Sequence, residues 1–271
     1  VSARPADIHV AGLGIRIPDH VTIETEAVFR DCREVLYVDT GIATRTFLEG
    51  LCPRVTPLYD VSYAPGRSRL DAYHRMAARV LEAAIDHPPV AFAMHGHPVV
   101  YSHATRLIAA AAPLLGLRVA ALPAVSSLDC LFAELILDPG PEGLLMYEAT
   151  DMLLRRRPLL PEVPTLVWQV GNLETRLHAA GPGRPERLDR FLAYLLTAYA
   201  PDHLVTAFHA APHPLVPSAA ITFPLGEIRG HAASLHAGVT LYLPPARARP
   251  ILDFDLLAKI DDPDHLGAIT A

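Results

Sequence analysis

Cysteine is scarce in this chain of 271 residues, and Cys32, Cys52 and Cys130 are too few and too scattered for a disulfide framework or a thiolate zinc site. A reducing, cytoplasmic setting is the expectation. Basic runs are lacking too. Lysine and arginine number 23 against 29 aspartates and glutamates, a formal charge of −6, and no basic block is long enough to grip nucleic-acid phosphates. Long apolar runs are equally missing. The one stretch that resembles a membrane span, residues 107–125, is interrupted by Pro113, Gly116, Arg118 and Pro123, so it is expected to be a helix end, a turn and a buried strand. The opening VSARPADIHV has no apolar signal core, and no targeting segment is expected from it. Neither nucleic acid nor a membrane is an expected partner.

What is present is core-forming material. Hydrophobic residues make up 51% of the chain and charged residues 19%, enough to bury a large core near the upper size of one compact domain. The 26 prolines are about twice the average usage, and most fall between periodic segments, where a missing N–H does no harm.

Residues 8–14 (IHVAGLG) form a short apolar run ending in glycine, as a buried parallel strand does on entering a loop. A helix is expected over 21–32, strands over 34–38 and 89–94, and an amphipathic helix over 68–85. That helix carries Leu70, Tyr73, Met76, Ala77, Val80, Leu81 and Ala84 on one stripe. A helix over 103–115, a strand over 117–122 and a helix over 126–135 capped by Ser126 follow. This alternation implies βαβ units and a parallel sheet. The later part reads as strands over 144–147, 165–170, 204–208, 220–223 and 239–243, with one long helix over 187–199. An α/β first half is therefore followed by a β-richer second half, with the break near Pro123 and a ligand cleft expected between them.

Several constellations could carry chemistry. Gly12-Leu13-Gly14 lacks the third glycine of a dinucleotide fingerprint, and Pro18 interrupts the expected helix start. A tight turn and a close backbone approach to a ligand both remain open there. Fourteen histidines raise a metal site. His95 and His97 flank Gly96, with His103 six residues on, and His209 and His213 stand four apart. Pro212 keeps that last pair off a regular helix face, and no cysteine or carboxylate stands at ligand spacing. No metal is expected, and His97 reads as a loop residue beside a small-molecule pocket. Arg69 and Tyr73 are i and i+4 on one helix, with Tyr63 on the loop before it. A guanidinium beside a phenol favours the phenolate, while the bland reading is a surface arginine stacked on tyrosines. Thr150 stands where it could cap a short helix. The Arg155-Arg156-Arg157 run is a solvated edge or a contact for an acidic peptide or phosphate.

Taken in order, YAPGRSRLDAYHRMA, AMHGHPVV, LPAVSSLDCLFAELILDP, MYEATDML, LVWQVGNLE, FHAAPHP and TLYLPPA resemble the tetrapyrrole-methylase superfamily. Within it they are most similar to the borosin peptide backbone α-N-methyltransferases. The resemblance runs from about residue 8 to 245. It implies an α/β fold of two α/β/α domains, 1–123 and 124–248, followed by a tail over 249–271, with S-adenosylmethionine bound in the cleft between the domains. Matched residue by residue, that cofactor site would draw on Gly12, Gly14, His95, Gly96, His97, Pro98, Ser126 and Ser127. It would also draw on Tyr147, Glu148, Ala149, Thr150, Gln169, Val170, Ala210, Ala211 and Thr240. Tyr63, Arg69 and Tyr73 match the family's catalytic tyrosines and arginine. The ending FDLLAKIDDPDHLGAITA resembles the split type of borosin enzyme, which implies a separately encoded precursor peptide docking onto a homodimer, or a heterotetramer with that precursor. The first loop lacks the proline-glycine-aspartate of true tetrapyrrole methylases, which counts against a porphyrinoid acceptor. A methylase of a tetrapyrrole or other small acceptor, or a non-catalytic member that binds the cofactor or a peptide, are the alternatives.

A calorimetric titration with S-adenosylhomocysteine checks the resemblance directly. Micromolar or tighter binding near one site per chain is expected, and no detectable heat would move the cleft to another use.

Overall fold

Every residue of β1, Ile8–Gly12, is buried, so this strand must be covered on both faces and paired on both edges. The computed structural model, which describes residues 6–39, 41–59, 68–177, 183–213 and 215–270, shows how. β1 pairs in parallel with β4, Val90–Met94, on one side and with β5, Val119–Ala121, on the other. β2, Glu34–Val38, joins β4 to the short β3, Val55–Pro57, which gives an all-parallel sheet in the order β3-β2-β4-β1-β5.

Helices cover both faces of this sheet. On one face α1, Ile23–Asp31, and α2, Ile42–Glu49, send Phe29 and Leu48 against Ala11, Val35 and Ala93. On the other, α3, Arg69–Asp86, and α4, His103–Ala111, send Met76, Val80 and Ile108 against Val10, Leu36 and Phe92. Helix α3 starts where expected because Ser68 accepts a hydrogen bond from the Asp71 N–H, a cap worth about 1 kcal/mol. Its buried stripe runs through Ala72, Met76, Ala77, Val80, Ala83 and Ala84. Leu70, expected on that stripe, is 47% exposed because it stands in the first turn, beyond the sheet edge.

α5, Ser127–Leu135, leads into a second sheet of β6, Leu145–Glu148; β7, Thr165–Trp168; β8, Leu204–His209; β9, Ala219–Pro224; and β10, Thr240–Leu243. The order is β6-β7-β10-β8-β9, with β6 and β7 parallel and the other pairs antiparallel. One face packs on α6, Ala149–Arg155, and α7, Asp189–Leu195, through Met152, Phe191 and Leu195. On the other face Leu166 and Phe208 meet Leu131 of α5 and Ile15 from the loop after β1. That cluster fastens the two sheets to each other. α8, Phe254–Lys259, and α9, Pro263–Thr270, bury no residue. No helix among the described residues is long and apolar enough to cross a membrane, and all three cysteines are free.

Several elements differ from expectation. The helix expected over 103–115 ends at Ala111 and tightens into a 3-10 turn over Ala112–Leu115, because Pro113 has no N–H and its ring would meet the Ala109 carbonyl. The long helix expected over 187–199 is a 3-10 turn over Pro185–Leu188 followed by the seven-residue α7. α2 and β3 were not expected at all.

Glu34 is 2% exposed at the start of β2, yet it is a carboxylate. It accepts hydrogen bonds from Thr56 on β3 and, at 2.7 Å, from His87, which caps the end of α3; Arg54 lies 3.8 Å away. Burial pushes its pKa up, but the hydrogen bonds from Thr56 and His87 and the Arg54 charge outweigh it and hold the carboxyl below its ordinary 4.5. Its stabilising contribution is therefore complete above that value and is lost as pH falls through the folded-state pKa. Urea midpoints measured from neutral pH to pH about 3 are expected to fall in this window. Glu34→Gln should flatten the slope, and an unchanged slope would show that other carboxylates govern acid unfolding.

Candidate functional site

The loops at the carboxyl ends of β1 and β4 lie back to back. Gly96 donates its N–H to the Gly14 carbonyl at 2.9 Å, and both glycines have left-handed backbones, with φ of +74° and +68°. A Cβ at Gly12 would sit 2.1 Å from the Gly96 carbonyl oxygen and 2.5 Å from the Ala124 Cβ. The Gly12 position is thus a requirement of loop packing. Against these loops the second sheet brings the ends of β7 and β8 and the start of β10.

Between them lies a cavity of about 190 Å³. The first half contributes Ile15, His95, Gly96 and His97, and the N-terminus of α5 contributes Ser126 and Ser127. Trp168, Gln169, His209, Ala210 and Thr240 close it from the second sheet. Ser126 is committed to a capping box: its hydroxyl accepts from the Leu128 and Asp129 N–H groups, while the Asp129 carboxylate accepts from the Ser126 N–H at 2.6 Å. Ser127 is therefore the hydroxyl available to a ligand.

A second cavity, of about 670 Å³, opens on the other side of Gln169 and Tyr101, which line both. Arg69 and Tyr73 reach it from α3, His103 and Arg106 from α4, and Thr150, Asp151 and Arg155 from α6. Arg69 spans the two halves. Its guanidinium donates to Gln169 Oε1 at 3.1 Å and to the Thr175 carbonyl at 2.7 Å, and its backbone N–H donates to the Arg176 carbonyl at 2.9 Å. Both dividing residues have left-handed backbones, Tyr101 with φ of 53° and Gln169 with φ of 58°. Such strain in side-chain-bearing residues persists only where surrounding contacts hold it.

The expected site residues divide between these surroundings. His95, Gly96, His97, Ser126, Ser127, Gln169, Ala210 and Thr240 line the smaller cavity. Arg69 and Tyr73 line the larger one, together with Glu148 and Thr150. Gly12, Gly14 and Pro98 support the loops behind the smaller cavity. Ala149 and Val170 are buried in the second core, and Tyr147 packs against it while donating to the Pro158 carbonyl at 3.0 Å. Ala211 is buried, with its N–H donated to Ser218. Tyr63 lies outside the described residues. Glu148, and not Thr150, caps α6: its extended backbone precedes the first turn and its carboxylate accepts the Asp151 N–H at 2.6 Å. Thr150 stands two residues too late for that role, already inside the first turn.

Tyr101 and Trp168 were not anticipated. Trp168 is the chain's only tryptophan, and its ring packs against that of Tyr101 at 4.8 Å between centroids, tilted by 32°. Its buried Nε1–H finds no acceptor among the described residues, which leaves an unsatisfied donor in the wall of the smaller cavity. Burial, with the Glu148 and Asp151 carboxylates nearby, pushes the Tyr101 phenol up to about 12, so it stays protonated and can donate. Burial also holds His95 and His236 below the ordinary histidine value of 6.5, with a further push from His209, whose ring meets that of His236 edge-on at 4.6 Å. The His95 and His236 rings are therefore neutral at neutral pH. Among the described residues no group of three or more histidines, cysteines or carboxylates could hold a metal ion.

A family model described as Tetrapyrrole (Corrin/Porphyrin) Methylases matches residues 7–209. The methyltransferase/ribosomally synthesized cyclic peptide dendrothelin A precursor of Dendrothele bispora is 29% identical over 260 residues, which are 95% of this chain and 62% of that protein. The methyltransferase/ribosomally synthesized type I borosin cyclic peptide precursor of Gymnopilus junonius is 30% identical, over 92% of this chain and 59% of the relative. The chain thus spans about three fifths of the length of these curated relatives. Among solved structures, uroporphyrin-III C-methyltransferase from Thermus thermophilus in complex with S-adenosyl homocysteine superposes with a TM-score of 0.60 at 16% identity, covering 88% of this chain and 96% of that one. At that identity it is the fold that is shared.

Gly12→Ala tests the packing of the paired loops. Overpacking of this kind is expected to cost about 1–3 kcal/mol in chemical denaturation. Wild-type stability in this variant would mean that the loops move apart freely.

Proposed function

The chain belongs to the tetrapyrrole (corrin/porphyrin) methylase family, and from that premise we propose that it is an S-adenosylmethionine-dependent methyltransferase acting on backbone amides of a separately encoded precursor peptide, in borosin-type biosynthesis. The observation that carries this reading is the pair of cavities meeting at Gln169 and Tyr101, with Arg69 and Tyr73 on the acceptor side. The names of the fused relatives, which couple a methyltransferase to a cyclic-peptide precursor, support the acceptor class. The Thermus thermophilus complex supports the cofactor class.

The residues of the smaller cavity fit such a cofactor. Trp168 offers an unsatisfied donor, Ser127 a hydroxyl at a helix N-terminus, and Gly96 and Gly238 a wall without side chains. His95, which burial holds neutral, presents no positive charge to repel a sulfonium. At about 190 Å³ the cavity is smaller than the ~300 Å³ usual for ligand sites. A ligand of this size would therefore use the opening past Gln169 as well. When bound, S-adenosylmethionine supplies an electrophilic methyl group.

The chain's own residues must then activate the acceptor. An amide nitrogen is a poor nucleophile because its lone pair is delocalised into the carbonyl. Tyr73 is the base in our reading, one turn beyond Arg69 on α3 and 5.6 Å from the His103 ring. Tyr63 shares that role in the family resemblance. Arg69 has five N–H donors, and those left over from Gln169 and Thr175 face the charge that develops on the amide oxygen. Tyr101, held protonated, is a second donor to the same cavity. Leu70, Val99 and Leu154 supply apolar wall that limits water. We place this chemistry in a homodimer in a reducing cytoplasm, which suits three free thiols.

Incubation with S-adenosylmethionine and the peptide encoded beside the gene, followed by fragmentation mass spectrometry, is the test. Methyl groups on backbone nitrogens are expected, and Tyr73→Phe should lower turnover by about 10²–10⁴-fold with S-adenosylhomocysteine affinity retained. Methylation of side chains alone, or of a porphyrinoid in place of any peptide, would overturn the reading.

A further inference from the structure

We propose that the larger cavity recognises a carboxylate on the acceptor, and that Arg106 and Arg176 are the residues that bind it. This rests on the reading of that cavity as the acceptor site.

The argument begins with charge. The chain as a whole carries −6, yet four arginines, Arg69, Arg106, Arg155 and Arg176, line this one cavity against only two carboxylates, Glu148 and Asp151. Both carboxylates are already engaged. Asp151 accepts from Arg155 at 2.6 Å and from Arg157 at 3.1 Å, and Glu148 caps α6 through the Asp151 N–H. Arg155 is thereby paired, sharing the one carboxylate with Arg157. Arg69 meets only uncharged acceptors, the Gln169 amide and the Thr175 carbonyl. Arg106 and Arg176 make no ion pair or side-chain hydrogen bond among the described residues.

Both side chains border the same cavity, from different parts of the fold. Arg106 stands one turn along α4 from His103, while Arg176 lies in the segment after the second sheet's β7. The Arg176 segment is tied to the start of α3 by the Arg69 N–H and by a bridge between Ser68 and Leu177. Both residues are exposed. The choice of residue matters as well. Lys259 is the chain's only lysine, and a guanidinium presents a planar fork that matches a carboxylate with two parallel hydrogen bonds. On a protein of net negative charge, a cationic cleft is also the place to which an acidic ligand is drawn.

An acidic peptide and a polycarboxylate ring share this chemistry, and the experiment separates them. Two fluorescein-labelled peptides of valine and isoleucine, one ending in glutamates and the other in glutamines with an amidated terminus, are titrated by anisotropy in excess S-adenosylhomocysteine. The glutamate peptide is expected to bind about ten-fold tighter at low salt. That advantage should shrink with added salt and vanish in Arg106→Gln/Arg176→Gln. Circular dichroism and melting checks that this variant is folded, and Arg106→Lys should keep part of the advantage. Equal affinities for both peptides together with no uroporphyrin binding, or an advantage that survives the double variant, overturn the proposal. Uroporphyrin binding that depends on the two arginines, with no peptide preference, supports the carboxylate site and assigns it to a ring acceptor. Calorimetry with S-adenosylhomocysteine on the same sample keeps the two ideas apart. No cofactor binding beside an arginine-dependent carboxylate preference sinks the methyltransferase reading alone, and cofactor binding without that preference sinks only the present proposal.

Discussion

Beside the apolar cluster that fastens the two sheets, Arg69 ties the two halves together at the wall between the cavities. One residue, at the first position of α3, donates from its backbone to Arg176 and from its guanidinium to Gln169 and Thr175. It stands directly after a capped turn, so the helix of the first half and the chain following β7 of the second are set in one frame. Gln169 in turn holds a left-handed backbone that its neighbours must maintain. The wall between the cavities therefore depends on a side chain rooted in the opposite half. A substitution of Arg69 would disturb both cavities together, so under the proposed function a loss of turnover in such a variant says less about chemistry than the same loss at Tyr73.

The division of charge between the cavities follows from what lines them. The smaller one is walled by imidazoles, a buried indole and glycine backbone, the larger one by guanidinium groups with the carboxylates of Glu148 and Asp151. The difference has a physical origin. Burial disfavours the charged form of His95 and His236, whereas an arginine at a solvent-reached rim keeps its charge at any ordinary pH. Under the proposed function, a site that handles a cationic donor and an anionic or polar acceptor gains from keeping these two linings separate.

Much of this arrangement was legible in the residues, for reasons that can be named. β1, β2 and β4 read as strands because they are short, mostly apolar runs, β1 ending in glycine and β4 following two prolines, and α3 because Leu70, Tyr73, Met76, Ala77, Val80, Leu81 and Ala84 recur at helical spacing. α2 escaped because only Thr44 and Leu48 of its eight residues are buried and Ile42 is 82% exposed. Nothing in three residues marks β3. The HGHP loop and the Ser126 cap were visible, since glycine geometry and capping are local. Tyr101 and Trp168 were not. Their pairing joins residues far apart in sequence, and the only hint was a lone tryptophan immediately before Gln169. Thr150 misled because threonine caps helices often, and Glu148 holds the extended backbone that a cap needs.

That lone tryptophan has a practical consequence. Because Trp168 is the sole indole in the chain, its fluorescence arises from one place, a cavity wall packed against a tyrosine. The protein thus carries its own optical reporter, in which a change of emission on adding any small molecule originates at the junction of the two cavities, with no label attached.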